Sequence, residues 1–334
     1  MSDAELTRID FWDVGQADCS VLHFSDNSII LIDVGKRGCP VVDWLADRPR
    51  RIRAIILTHN DADHAGALCS IVAAHRAQIG GIYMLMDRPK NDEKFQKLFR
   101  CALEGERLKH YEIKWASDGT QLWMSPDAGT RLHVVHPSFS EFVRAGSPNA
   151  TSAMVVLEKD ERWLSVWPGD LSLNTVAGKC EGRKAWMLMG PHHGGPEGYK
   201  QKPDSVHWVA AISPRRGFIS VGTKNSYSHP RPRYVQLLGR SGCHVVCSQL
   251  TRACDPERSR SRRPVFEGSE ALGLRASRSG VACRGSWRVT FQNGELLPDE
   301  FGAEHLERVA SLRRPLCLKG RGWKRGDPVP VEVS

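Results

Sequence analysis

The chain has 334 residues, of which 47 are Lys or Arg and 38 are Asp or Glu, so the formal net charge is +9 at neutral pH. Hydrophobic residues make up 40% and charged residues 25% of the sequence, as in ordinary globular proteins. There is no apolar run of about 18 residues, and no basic N-terminal region followed by an apolar core, which predicts a cytoplasmic protein without membrane contact. The positive balance favours a polyanionic partner.

Short strands and helices alternate along most of the chain. Residues 7–34 predict a hairpin with its turn at Asp26 and Asn27, and residues 52–59 form an apolar run typical of a strand covered on both faces. The predicted helices are 41–49, 65–78 and 92–108, and the further predicted strands are 80–87, 131–137, 152–160, 162–170, 185–193 and 217–222. This alternation indicates a layered α/β fold with more than one sheet.

The composition changes near residue 255. Residues 255–280 are rich in Arg, Ser and Gly and predict a long exposed loop. Residues 286–297 predict a returning hairpin with Asn293 and Gly294 as its turn, and the basic tail from residue 318 is expected to be irregular. We therefore divide the chain into a main domain, residues 1–255, and a basic Arg-, Gly- and Pro-rich extension, residues 256–334, that packs on it.

A dense group of metal-ligand side chains follows the buried strand at residues 52–59. His59, Asp61, Asp63 and His64 lie within six residues of one another. Alternate residues of an extended segment share a face, so 59, 61 and 63 can point together, and His64 joins them if a helix begins there. Imidazole and carboxylate ligands suit Zn, Mn or Fe. Four such ligands in one loop predict a two-metal site.

Further candidate ligands follow other predicted strands. Asp170 comes directly after the strand at residues 162–170, and His192 and His193 end the strand at residues 185–193. Ligands in α/β proteins gather at the carboxyl ends of strands. These three side chains are therefore expected to complete the site.

Several segments occur in an order typical of one known family. The cluster has the form His-x-Asp-x-Asp-His, and the other segments are Asp13 to Asp18, Ile32 to Gly35, Asn149 to Leu157, Gly169-Asp170, His192 to Gly194 and Ser220 to Pro230. Together they resemble the metallo-β-lactamase superfamily and, within it, the ComEC-type subgroup, named for the hydrolase domain of bacterial DNA-uptake proteins. The departures are Asp61 where the superfamily usually has His, Ala17 where the subgroup has Gly, and Gly195 where it has Ser.

The resemblance implies an αβ/βα sandwich, with two mixed β-sheets flanked by helices and a dinuclear metal site in the cleft between them. Residues 1–255 would then form a hydrolase domain. The resemblance assigns His59 and Asp61 to one ion, Asp63 and His64 to the other, and Asp170 to a bridging position.

The remaining assignments concern groups around these ligands. The His192-His193 pair supplies one further ligand, and we expect His192 to bind the metal and His193 to support it. Asn149 stands where other members carry His, and an amide and Asp61 make the site rich in oxygen, which favours Mn²⁺ beside Zn²⁺. Asp33 and Thr58 are expected to orient ligands from outside.

Two residues of the first hairpin have a different expected role. Asp13 and Asp18 are interpreted as structural groups that hold the hairpin in place.

The implied reaction is hydrolysis by a hydroxide held between two divalent ions, oriented by Asp63 or Asp170. The predicted substrate-binding residues lie in one loop, except for Asn149, and they are Asn149, Lys224, Asn225, Tyr227 and His229. Lys224 and Asn225 would hold a phosphate, and His229 could donate the proton of the leaving group. The Arg-rich residues 258–263 would add to a polyanion-binding surface.

The leading hypothesis is a phosphodiesterase, most specifically a nuclease acting on DNA, with a role in defence as one option. A second hypothesis keeps the site but takes a small phosphodiester, such as a cyclic nucleotide or a phosphocholine ester, or an amide or thioester. A third is an effector subunit that a protein partner activates.

The sequence has ten cysteines. Without a secretory signal they are expected to fill the core or bind metal more often than to form disulfides, and Cys69 is expected in the core. A structural Zn²⁺ site is one hypothesis for four of them, namely Cys243, Cys247, Cys254 and Cys283. The alternative is four buried or unpaired thiols.

Overall fold

The computed structural model describes residues 4–85, 93–180, 182–195, 211–292 and 295–330. Two mixed β-sheets pack face to face, and helices cover their outer faces. Among the described residues, no helix is both long enough and apolar enough to cross a membrane. The predicted αβ/βα sandwich is therefore confirmed.

The first sheet has eight strands and the second has seven. In spatial order, the strands of the first sheet are β15 (Glu295–Leu296), β14 (Trp287–Gln292), β1 (Leu6–Phe11), β2 (Cys19–Phe24), β3 (Ile29–Val34), β4 (Ile52–Ile56), β5 (Gly81–Met84) and β6 (Glu112–Trp115). Those of the second sheet are β13 (His244–Cys247), β12 (Arg216–Ile219), β11 (Ala185–Met189), β10 (Arg162–Trp167), β9 (Met154–Lys159), β8 (Thr130–His136) and β7 (Gln121–Met124).

The helices connect these strands or follow them. They are α1 (Pro40–Asp47), α2 (Ala62–Ala65), α3 (Leu68–His75), α4 (Glu93–Arg107), α5 (Phe139–Arg144), α6 (Leu173–Cys180), α7 (Pro232–Arg240), α8 (Gly268–Ala271), α9 (Gly302–Ala310) and α10 (Leu316–Gly320). A separate apolar cluster fills each outer layer. One lies against α1 and α3, and the other against α6 and α7.

Aromatic side chains fill the space between the two sheets. The Phe11 ring lies 6.1 Å from that of Trp167, 5.4 Å from Phe218 and 5.8 Å from Trp287, measured between centroids. Phe11 and Trp287 come from the first sheet, and Trp167 and Phe218 from the second. Aromatic pairs at these separations contribute about 0.5–1.5 kcal/mol each beyond their buried area. This packing therefore fixes the separation of the two sheets and of the loops at their ends.

The segment after residue 255 contributes two strands, β14 and β15, to the first sheet. β14 pairs antiparallel with β1, with Ile9 opposite Val289, so the sheet includes residues on both sides of the predicted boundary at 255. The predicted exposed loop at 255–280 is wrong in part, since Val265 and Phe266 are buried. Both have apolar side chains that pack in the interior, although the surrounding sequence is polar. The hairpin strands β14 and β15 are present, but Asn293 and Gly294 lie outside the described residues.

A buried ion pair joins β1 to β14. Arg288 donates to both carboxylate oxygens of Asp10, at 2.6 and 2.9 Å, and His23 Nε2 lies 3.0 Å from Asp10 Oδ2. Burial opposes ionisation of Asp10, but His23 and Arg288 outweigh it and lower the pKa of Asp10 to about 2. The ionised carboxylate is therefore stabilised by folding.

We expect Asp10→Asn to lower the free energy of unfolding by about 2 kcal/mol near neutral pH, because one pKa unit corresponds to about 1.4 kcal/mol. The folded-state pKa lies below the ordinary value of 3.8, so this contribution is present above that value and is lost as the pH falls through about 2. Urea unfolding of wild type and variant near neutral pH and at about pH 3 measures the difference. An equal difference at both pH values would contradict this account, and the exposed Asp118→Asn serves as the control.

Candidate metal centre

The predicted site residues converge at the carboxyl ends of strands from both sheets. β3 runs parallel to β4, and β10, β11 and β12 run parallel to one another. The loops that follow them carry the cluster at residues 59–64, then Asp170, the pair at residues 192–193 and the loop at residues 220–230. Parallel strands therefore bring distant parts of the chain to a single edge of the sandwich.

His64 is the centre of this arrangement. Its ring is fully buried, with Nε2 3.1 Å from Asp170 Oδ1 and Nδ1 2.9 Å from Asp33 Oδ2. Burial alone lowers the pKa of His64, but Asp33 and Asp170 overcome it and raise that pKa well above its usual value. His64 thus lies where carboxylates concentrate negative charge, which is the environment that a bound cation requires.

His193 forms a second contact of the same kind. It is almost fully buried, with Nε2 3.4 Å from Asp63 Oδ2, while Nδ1 lies 3.0 Å from the carbonyl oxygen of Ser220 and 3.2 Å from Asp18 Oδ1. Metal-binding imidazoles commonly use one nitrogen for the metal and donate the other N–H to a carbonyl or carboxylate. Because Nδ1 of His193 faces Ser220 and Asp18, its Nε2 points towards Asp63.

The geometry favours His193 over His192 as a ligand, contrary to the expectation from the sequence. His192 is 34% exposed, and its Nε2 lies 3.7 Å from Asp170 Oδ2. Both residues have left-handed backbone conformations, with φ of 47° and 54°. This unusual pair of conformations, which costs energy for non-glycine residues, directs His193 into the buried cluster and His192 towards its rim.

His59 and Asp61 form the other part of the cluster. His59 is fully buried, and its ring centroid lies 5.6 Å from that of His64. Asp61 Oδ2 is 3.7 Å from His59 Nδ1, and the Asp61 side chain is 45% exposed. Asn149 is half-buried in a single helical turn, residues 148–151, before β9. The site therefore has one deeply buried side and one side open to solvent.

Two sets of ligand atoms among the described residues are tight enough to hold a metal. Within each set, all atoms lie within 4.8 Å of one another, and the sets are Asp18, His64 and His193, and His59, His64 and Asp170. Both sets include His64, whose Nε2 can bind one ion while its Nδ1 faces Asp33. Imidazole and carboxylate groups fit a divalent ion such as Zn²⁺ or Mn²⁺, so the residues present fit a metal site.

Asp33 and Thr58 support His64 from behind. Thr58 N donates to Asp33 Oδ1 at 2.8 Å and Thr58 Oγ1 donates to Asp33 Oδ2 at 2.6 Å. The carboxylate is thus held in place to accept the Nδ1 proton of His64. This is the position predicted for Asp33 from the sequence.

Asp18 is the site residue that sequence reasoning missed. Besides its contact with His193, its Oδ2 lies 3.9 Å from His64 Nδ1, and its backbone N–H donates to the carbonyl oxygen of Asp63 at 3.0 Å. The sequence alone indicates only a structural role for it in the first hairpin. Its position in the Asp13 to Asp18 motif was the available signal. Asp13 does have a structural role, since its Oδ1 accepts hydrogen bonds from Gly15 N and Gln249 Nε2.

The loop at residues 220–230 is held by Asn225, not by contacts with a ligand. The Asn225 amide donates to the carbonyl oxygens of Gly222 and His229, and its Oδ1 accepts from His229 N. All these groups bond the loop's own backbone, so the predicted phosphate contact of Asn225 is not favoured. Lys224 and Tyr227 are exposed and remain available to a substrate.

His229 lies beside the cluster on this loop. Its ring centroid is 5.3 Å from that of His192, and its Nδ1 is 3.5 Å from Gln16 Nε2. Burial, followed by the neighbouring His192 and His193, lowers the pKa of His229 to about 4. The ring is therefore neutral at neutral pH. A neutral imidazole still donates one N–H hydrogen bond, which favours contact with a phosphate oxygen over the predicted transfer of a proton.

The cysteines are arranged differently from the prediction. Cys69 forms a disulfide with Cys101 between α3 and α4, so its expected place as a free core thiol is wrong. Cys243 is buried in the apolar cluster that packs against α7. Its Sγ lies next to Gly217, 3.3 Å from where a Cβ atom on that residue would be. It does not line the cavity that contains Cys247, Cys254 and Cys283.

The comparisons with known proteins agree with this geometry. The model of the metallo-β-lactamase superfamily matches residues 12–138. ComE operon protein 3 of Bacillus subtilis (strain 168) is 24% identical over 202 residues, which are 59% of this chain and 23% of that protein. The chain thus spans about a quarter of the length of this curated relative.

Solved structures show weak similarity. Igni18, a metallo hydrolase from Ignicoccus hospitalis, is 14% identical with a TM-score of 0.42, covering 72% of this chain and 95% of that one. The metallo-β-lactamase fold protein YhfI from Bacillus subtilis is 14% identical with a TM-score of 0.42, covering 72% and 96%. The two-sheet architecture is that of the metallo-β-lactamase sandwich, and residues 12–138 of this chain are similar to the model of that superfamily.

Proposed function

We propose that this chain is a metal-dependent phosphodiesterase that cleaves DNA. The observation that carries the proposal is the buried cluster in which two sets of ligand atoms share His64. Clusters that place two divalent ions close together are typical of phosphatases and nucleases. Asp170 lies beside His64 on one side of this cluster, and Asp63 contacts His193 on the other. We infer that the cluster is wide enough for two ions.

Divalent ions held by these residues would supply Lewis acidity towards a phosphoryl oxygen and lower the pKa of a water molecule. Among the carboxylates, Asp63 is favoured over Asp170 for orienting that water, because its side chain is 28% exposed and that of Asp170 is 7% exposed. His229, neutral and beside His192, would donate a hydrogen bond to the substrate on the opposite side. These groups need no Ser or Cys nucleophile from the chain.

Exposed cations on two loops next to the site residues support a polyanionic substrate. Lys36 and Arg37 follow β3, and their backbone lies against Gly66, which follows the cluster at residues 59–64. The approach is so close that a Cβ atom on Gly66 would lie 2.9 Å from Arg37 N. On the other side, exposed Lys224 and Arg231 belong to the loop of His229. Cations around an acidic, metal-binding floor attract phosphates of a nucleic acid to the ions.

The resemblance to the ComEC-type subgroup supports DNA as the polymer, since the subgroup is named for DNA uptake. The Arg-rich residues 258–263 are less informative. Arg258 donates to Ser311 and to the carbonyl oxygen of Pro264, so that side chain supports the C-terminal segment.

The test is cleavage of labelled single- and double-stranded DNA with Mn²⁺ or Zn²⁺ by wild type and Asp63→Ala. We expect metal-dependent cleavage by wild type and a loss of more than about 100-fold in the variant, since Asp63 would be a metal ligand and even groups that only support ligands cost up to about 100-fold. Asp118→Ala, which removes an exposed carboxylate on the loop before β7, is the matched control.

Two results would contradict the proposal. Equal cleavage by wild type and Asp63→Ala would place the activity elsewhere or in a contaminant. Hydrolysis of bis-p-nitrophenyl phosphate without cleavage of any DNA would instead indicate a small phosphodiester substrate.

A further inference from the structure

Four cysteine thiols from separate segments line one buried cavity on the far side of the His229 loop. Cys247 ends β13, Cys254 lies in the turn after it, Cys283 precedes β14 and Cys317 belongs to α10. Each lines the same cavity, whose other walls are mostly aliphatic. No Asp or Glu lines it. The sulfur atoms are therefore the groups in this cavity that can carry negative charge.

Backbone hydrogen bonds hold these segments together without using the thiols. Arg284 N donates to the carbonyl oxygen of Cys247, and Cys283 N donates to that of Ser248, both at 2.9 Å. Arg314 N donates to the carbonyl oxygen of Cys254 at 2.8 Å. The sulfur positions are thus set by the surrounding backbone.

The thiols lie close enough to influence one another. Burial, and then Cys283, Cys254 and Cys317, raise the pKa of Cys247 well above its usual value. A buried thiol that disfavours its thiolate in this way is inert on its own. A cation among the four would reverse the effect, because metal binding removes the thiol protons.

A histidine in the same cavity supplies an independent observation. His305 of α9 is 1% exposed, and its Nε2 lies 3.8 Å from Cys283 Sγ. Its Nδ1 has no hydrogen-bond partner in the part of the chain that the structure describes. Leaving a buried nitrogen without a hydrogen-bond partner destabilises the fold. Neutral imidazole beside thiolates is the usual company of structural zinc.

We propose that this cavity is a structural zinc site whose ligands are the thiolates of Cys247, Cys254, Cys283 and Cys317. Soft thiolates in a closed tetrahedral set select Zn²⁺. His305 lies outside the four and donates its Nε2–H to the Cys283 sulfur. Binding releases the four thiol protons to solvent and changes no oxidation state.

The site closes by side-chain rotation. Among the described residues, two sets of three ligand atoms lie within 4.8 Å of one another, and both belong to the catalytic cluster. No three ligand atoms of the cysteine cavity are that close together. The proposal therefore requires rotations about the Cys χ1 angles, with the backbone held as above, that bring the sulfurs to the ion.

The ion would tie the C-terminal segments to the loop that carries His229. Residues next to Cys247 hold that loop: Ser248 Oγ donates to the carbonyl oxygen of Val221, and Gln249 Oε1 accepts from Thr223 N. Pro230, which follows His229, lines the cavity itself. Zinc at this site therefore supports one wall of the catalytic cleft without contacting substrate.

Metal analysis of the full-length chain tests the proposal. A variant lacking catalytic ligands, Asp63→Ala with Asp170→Ala, is expected to retain one zinc ion per chain, and a thiol-specific mercurial should release it. Adding Cys247→Ser and Cys317→Ser to that variant should remove this zinc. Cys243→Ser is the matched control, because that thiol is buried nearby but outside the cavity.

Cobalt substitution in the chain with all cysteines intact keeps the test valid if the serine variants fail to fold. The Asp63→Ala, Asp170→Ala protein loaded with Co²⁺ should show strong thiolate-to-cobalt charge-transfer absorption. Absence of this absorption, zinc retained by the Cys247→Ser, Cys317→Ser variant, or a disulfide among the four cysteines in the purified chain would each overturn the proposal. None of these outcomes bears on the proposed DNA cleavage.

Discussion

Replacing His193 by alanine is expected to lower metal-dependent hydrolysis by more than about 100-fold, beyond what loss of an outer-shell partner costs. His193 is buried with Nε2 directed at Asp63 and Nδ1 held by Ser220 and Asp18. The matched variant His192→Ala should cost about 10-fold or less. Its ring lies at the rim, 3.7 Å from Asp170 and 5.3 Å from the His229 ring, where it would help to position substrate.

The measurement is the initial rate of hydrolysis for both variants, together with metal content after gel filtration. His193→Ala should lose about one ion per chain relative to wild type, and His192→Ala should lose none. The reverse pattern, with the larger loss in His192→Ala, would show that the ligand is His192 and that the buried ring of His193 only supports it.

Replacing Asp18 by asparagine is expected to weaken metal binding by about 10–100-fold, as for other groups that orient metal-binding histidines. The Asp18 carboxylate lies 3.2 Å from His193 Nδ1 and 3.9 Å from His64 Nδ1, and its negative charge there makes each imidazole a better ligand. An amide of the same size keeps the shape but removes the charge. Higher metal concentration should therefore restore most of the activity.

Activity measured over a metal titration separates this effect from misfolding. Asp13→Asn is the matched control, because Asp13 is also buried in the first hairpin but contacts Gly15 and Gln249 instead of the ligands. Asp18→Asn should shift the metal dependence to higher concentration with little change in the maximal rate. A reduced maximal rate at saturating metal, with no shift, would mean that Asp18 only stabilises the hairpin.

The sequence by itself was sufficient for the features that local patterns encode. The cluster at residues 59–64 directly follows a buried strand. It can therefore be recognised as a site from this short segment, without any distant residue. Alternating strands and helices were likewise enough for a layered α/β fold. Asp170 was found for the same reason, since it directly follows an apolar strand.

Features that depend on side-chain direction or on distant contacts were decided only by the tertiary structure. Two adjacent histidines have the same local pattern, and only the backbone conformation at residues 192–193 distinguishes the buried ring from the exposed one. Asp18 joins the site because the first hairpin packs against the metal loop 45 residues later, as its hydrogen bond to Asp63 shows. Spacing along the chain contains no information about either.

The C-terminal third follows the same physical rule. β14 returns to pair with β1 across more than 270 positions, as the Asp10–Arg288 contact shows. Likewise, Cys317 replaces Cys243 in the thiol cavity because α10 packs against the turn after β13. Local pattern determined which residues can bind metal and which segments form strands. Long-range packing determined which of those residues meet, because contact depends on how the completed sheets and helices fit together.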